Sequence, residues 1–118
     1  MPPQELTVGD GAATMSLADW AGRIKAHFEQ CFWIGDKSGA AVEPHPDLVN
    51  LTSLYKDSVG SGHRYTDYQL RPNYLVVLAV APDLVDPAHG WAAIQTARER
   101  LLGPLGIATL DSADWAYR

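Results

Sequence analysis

The segment that most constrains this chain is YLVVLAVA, residues 74–81, an unbroken apolar run with Pro72 before it and Pro82 after it. A run of this kind reads as buried on every side, and its periodicity does not separate a buried strand from a buried helix. Its three valines pull toward strand. The prolines pull toward helix: Pro72 suits a first turn, where a missing N–H costs nothing, and Pro82 suits the position just past an end. The flanks favour helix, and strand stays open on these residues alone.

Other helices are easier to place. Leu17, Trp20, Ala21, Ile24, Phe28, Cys31 and Phe32 recur at three- and four-residue steps, which is one helical face. Ser16 can cap that helix with Asp19 in the capping-box position, and Gly35 is expected to end it. Asp86-Pro87 predicts a second start, followed by a stripe of Trp91, Ile94, Ala97 or Arg98, Leu101 and Leu102 that Gly103-Pro104 stops. Asp111-Ser112-Ala113-Asp114 looks like a further helix start, cut off about one turn later, which suggests a fragment. Residues 1–15 carry no period and read as a loose leader before one unit at 16–118. Residues 33–53 form a long connection, with Pro44-His45-Pro46 as a stiff extended piece.

Composition narrows the function classes. With 118 residues, 47% hydrophobic and 19% charged, the chain is one small globular domain. Nine Lys and Arg against 14 Asp and Glu leave a net charge of -5, which argues against nucleic acid as a partner. The start lacks signal-peptide character, and no apolar run reaches the roughly 18 residues of a membrane span. Cys31 is the single cysteine, so no disulfide forms within the chain. Its apolar neighbours suggest an inert core thiol, and a reduced cytoplasmic setting fits. The sequon Asn50-Leu51-Thr52 is read as chance. His27, His45, His63 and His89 have no metal-ligand spacing, so no metal is expected. Gly60-Ser61-Gly62 and Gly103-Pro104-Leu105-Gly106 lack the Lys and Ser/Thr of a phosphate loop and read as turns.

The chemistry concentrates in LYKDSVGSGHRYTDYQLRPN, residues 54–73. Asp57 and Asp67 flank the Gly-Ser-Gly turn among Tyr55, Tyr65 and Tyr68. Two carboxylates can divide acid and base work on a glycosidic bond, and aromatic faces suit sugar rings. The alternative is a loop network in which they pair with Lys56, Arg64 or Arg71. Arg71 and Asn73 stand at the expected helix start, where backbone donors favour anions or polar oxygens, although Asp67 could instead be a buried partner of Arg71.

Four ordered motifs go further. YKDS at 55–58, DYQLRPN at 67–73, VAPDL at 80–84, and LLGPLG followed by TLD at 101–111 resemble the C-terminal glucosidase part of eukaryotic glycogen debranching enzymes. The resemblance runs from about Leu17 to Arg118 and is densest at 54–73 and 100–111. It implies an all-α setting, a few helices of an (α/α)6 barrel with long loops, and this settles YLVVLAVA as an inner-ring helix. It implies hydrolysis of the single α-1,6-linked glucose left at a glycogen branch point, with no cofactor. Glycogen or limit dextrin and the remainder of the enzyme are the implied partners.

The family's general acid is expected upstream in a Trp-Met-Asp motif, and its base downstream in a Glu-Trp-Leu-Trp motif. Trp20, Trp33, Trp91 and Trp115 match neither. The resemblance therefore places the chain between the two catalytic carboxylates, with no catalytic residue of its own and no expected activity. Asp67, Arg71 and Asn73 become substrate-binding candidates, joined by Lys56 and Asp57 through adjacency. A non-catalytic glycan-binding or interaction module is the alternative.

Overall fold

The computed structural model describes residues 5–8, 13–35 and 43–117. It opens with an antiparallel hairpin of β1 (Glu5–Val8) and β2 (Ala13–Ser16), Leu6 lying opposite Met15. All of the hairpin but Ser16 falls within the residues read as a leader. Helix α1 (Leu17–Phe32) follows at once, and the Ser16 hydroxyl accepts the Asp19 N–H at 3.0 Å, the cap expected from sequence. The helix stops at Phe32, three residues before Gly35, because Trp33 turns extended to enter β3 (Trp33–Ile34). Gly35 matters for another reason: a Cβ there would lie 2.8 Å from the Trp33 indole nitrogen.

Strand β3 pairs antiparallel with β4 (Leu54–Tyr55), Ile34 opposite Leu54. Hydrogen bonds from Ser53 N–H to the Ile34 carbonyl and from Lys56 N–H to the Phe32 carbonyl extend the ladder at both ends. Between the strands, Pro46–Leu48 form a 3-10 turn, so the Pro-His-Pro piece is not extended throughout.

The octapeptide is helical: α2 spans Tyr74–Val80. Its first turn closes on Pro72 and Asn73, whose carbonyls accept from Leu75 and Val76, and Pro82 opens a separate 3-10 turn just beyond the end. It is not buried on every side. Tyr74 faces the core, whereas Val76 and Val80 are 62% and 74% exposed, because no described element covers that face.

Helix α3 (Pro87–Leu101) begins as the sequence predicts, with Asp86 Oδ1 accepting the N–H groups of Ala88 and His89 at 2.9 and 3.1 Å. Asp86→Ala is expected to cost about 1 kcal/mol in urea unfolding, and an unchanged midpoint would contradict the cap.

The face α3 buries is the expected one only in part: Ala97 and Leu101 of the expected stripe are buried, whereas Trp91, Ile94 and Leu102 are exposed. Gly90, Ala93, Ala97 and Leu101 point inward, and Trp91 is 65% exposed. Small side chains let the helix lie close to its neighbours: a Cβ on Gly90 would sit 3.4 Å from Leu78. The resulting core gathers Ile34, Leu54, Tyr55, Tyr68, Leu70 and Tyr74 against Ala93, Ala97 and Leu101.

A two-residue hairpin of β5 (Leu102–Gly103) and β6 (Gly106–Ile107) then turns the chain. The Asp111–Asp114 stretch forms successive turns and not a helix, with Asp111 Oδ1 accepting the Ala113 N–H and its carbonyl accepting the Asp114 N–H. Cys31 is exposed, contrary to a core thiol, since no residue of α1 is buried. Among the described residues no helix is long and apolar enough to cross a membrane.

Candidate functional site

Residues 54–73 run from β4 through the glycine-containing loop and a 3-10 turn (Arg64–Tyr68) to the start of α2. Asp67 lies at the centre of that loop, 8% exposed. Its Oδ1 accepts the Ser58 hydroxyl at 2.9 Å and the Ser61 N–H at 3.3 Å, and its Oδ2 accepts the Gly60 N–H at 2.8 Å. Gly60 has φ +75°, which turns its own N–H and the next toward one point. Burial acts to raise the Asp67 pKa, but the serine hydroxyls and the two backbone N–H groups outweigh it and hold the carboxyl below its ordinary value. Neither Lys56, Arg64 nor Arg71 pairs with Asp67; the loop's own donors reach it first.

The other candidates are separately engaged. Lys56 is buried, its Nζ 2.9 Å from Glu43 Oε2 and 4.9 Å from the centre of the Tyr68 ring. Burial, with the Glu43 carboxylate beside it, pushes the Tyr68 phenol up to about 12. The Arg71 fork donates through Nε and Nη2 to Gln69 Oε1 and through Nη1 to the Thr109 carbonyl. Gln69 Nε2 in turn donates to Asp114 Oδ1 at 3.2 Å, which ties the DYQLRPN segment to the C-terminal turns.

At the mouth of α2, the Asn73 amide donates to Asp57 Oδ1 at 2.6 Å, with both residues exposed. Of the five candidates, only Asp57 and Asn73 are brought together. The two carboxylates do not assemble as an acid–base pair.

The amylo-alpha-1,6-glucosidase family model matches residues 4–118. The chain belongs to that family. It is 36% identical over 107 residues to the glycogen debranching enzyme of Saccharomyces cerevisiae, a stretch covering 88% of this chain and 7% of that relative. The chain therefore spans a small part of the curated relative it matches.

In this member of the family two features lie outside the five residues chosen from sequence. Glu29 joins three elements: its Oε1 accepts the Tyr55 hydroxyl and the Asp86 N–H, and its Oε2 meets His89 Nδ1 at 2.9 Å. His89 stacks on Trp33 with ring centres 4.2 Å apart. Burial, then Glu29, raises the Tyr55 phenol far above its usual range, so it stays a donor. The available signal was a carboxylate inside the Phe28–Phe32 stripe, where a helix turns inward.

The second feature is a cleft of about 220 Å³ between Tyr68 and Leu70 on one side and residues 111–115 on the other, lined by none of the five candidates. Among the described residues no three His, Cys, Asp or Glu side chains converge as a metal-ligand set.

Proposed function

We propose that this chain supplies helices of an (α/α)6 barrel and part of the sugar-contacting surface of an α-1,6-glucosidase acting at glycogen branch points in the cytoplasm. Its own residues do not carry out the hydrolysis. The likeness to a glycogen debranching enzyme along most of the chain supports the substrate class.

The observation that carries the reading is the start of α2, where Asp57 and Asn73 are exposed and joined beside Arg71, whose fork is fixed on Gln69 and Thr109. Such a mouth offers neutral and charged partners for sugar hydroxyls while its geometry is held from behind.

Hydrolysis needs one carboxyl to give a proton and a second carboxylate across the bond. Asp67 fits neither role: its donors keep it ionised, and its oxygens are already taken. Asp57 is engaged by the Asn73 amide and is not paired with Asp67, so both carboxylates of the reaction are assigned to other segments of the enzyme.

Incubating the chain with phosphorylase limit dextrin is expected to release no glucose. Turnover that disappears in Asp57→Asn or Asp67→Asn would overturn the proposal.

A further inference from the structure

We infer that the cleft between the Tyr68–Leu70 segment and the C-terminal turns is a separate binding position for one glucosyl unit of an α-glucan. It is built from Trp115, Arg100, Asp111 and Asp114. The glucosyl identity rests on the function proposed above; the hexose chemistry is argued from the cleft.

A pyranose presents an apolar C–H face and a rim of hydroxyls that both give and accept hydrogen bonds. Trp115 supplies the matching platform. Its ring is held edge-on by Tyr65, centres 4.7 Å apart at 69°, yet the residue remains 67% exposed. An aromatic residue fixed by a neighbour and still open to solvent is ready to stack at little entropic cost.

The rim is supplied by Asp111 and Arg100. The Asp111 side chain is 6% exposed, and its Oδ1 is occupied by the Ala113 N–H. Its Oδ2 faces the Arg100 guanidinium at 3.7 Å, an ion pair too long for a direct hydrogen bond. Asp111 lines the cleft, and among the described residues its Oδ2 accepts no direct hydrogen bond. One sugar hydroxyl placed at about 2.8 Å from each group would accept from Arg100 and donate to Asp111.

Asp114 borders the same space with Oδ1 engaged by Gln69 and by the Ala116 N–H. Through Gln69 the cleft is joined to Arg71, so occupancy here and contacts at the mouth of α2 share one bonded frame. Its volume of about 220 Å³ matches a single ring and is too small for a chain of sugars.

The test is a titration of the isotope-labelled chain with maltotriose, followed by amide and indole resonances. The four tryptophans give four indole N–H signals, and that of Trp115 is identified by its loss in Trp115→Phe. A saturable shift of this signal and of the Asp114 amide is expected, with affinity reduced at least tenfold in Trp115→Ala and Arg100→Ala. Shifts confined to Asp57 and Asn73 would remove the cleft and leave the glucosidase reading intact. An absence of any shift at the cleft, or equal shifts with glycerol, also overturns it. If the alanine variants lose their dispersed spectra, the parent titration alone decides. Glucose release from limit dextrin tests the proposed function independently of all these outcomes.

Discussion

Leu54→Ala is expected to lower the unfolding free energy by about 2–5 kcal/mol, the range for emptying a fully buried leucine site. Leu54 is fully enclosed. It sits opposite Ile34 in the two-stranded ladder and belongs to the same core as Ala93 and Ala97 of α3. Those alanines cannot extend into the space left behind, so the cavity would persist and the cost should fall toward the upper part of the range. Urea unfolding followed by tryptophan fluorescence measures it; a loss below about 1 kcal/mol would show that the ladder is not the centre of the core. For a chain this short, with total stability of about 5–15 kcal/mol, the variant is expected to lose a large fraction of its margin and to melt at a clearly lower temperature.

Asp67→Asn is the second large effect. The amide keeps one acceptor but turns an N–H₂ group toward serine hydroxyl and backbone donors, leaving buried donors unpaired at a cost of about 2 kcal/mol near neutral pH. The sign of the pH dependence follows from the lowered pKa. The native state holds the carboxylate more tightly than the unfolded chain does, so the contribution is complete above about pH 4, the ordinary carboxyl value. It disappears as the pH falls through the lower native value. The parent should therefore lose stability on acidification below pH 4 more steeply than the variant. Parallel curves for the two proteins would show that another carboxylate dominates.

These residues also mark the limit of what the sequence makes legible. Ser16 and Asp86 could be read as caps because a cap needs only a side chain and the N–H groups two and three residues on. The octapeptide could be read as a helix because proline acts locally at both ends. The face of α3 was legible at Ala97 and Leu101 but not at its first turns, since the choice there is made by the partner surface: close approach selects Gly90 and Ala93 over the larger Trp91 and Ile94. Asp111 was misread for a different reason. A helix cap and a turn use the same bond from an aspartate oxygen to a backbone N–H, so the first residues of each look alike.

In the candidate site the carboxylates and cations were visible, but their pairing was not. The Asp67 carboxylate is held by backbone N–H groups of Gly60 and Ser61 that no inventory of side chains contains. The Asp57–Asn73 contact depends on β4 and α2 meeting across the loop. Glu29 was passed over because a lone carboxylate in an apolar stripe acquires meaning only when Tyr55 and His89 arrive from distant parts of the chain.

The ladder between Trp33–Ile34 and Leu54–Tyr55 has a consequence for how the family can vary. It fastens the two ends of the intervening connection to each other, so the cost of closing that connection grows only with the logarithm of its length. Each doubling adds about 0.6 kcal/mol. Added residues between Ile34 and Leu54 are thus inexpensive as long as the four strand residues, the Glu43 partner of Lys56 and the buried Val49 are kept. Relatives can be expected to differ most in length at this point and least in the short pairing that brackets it.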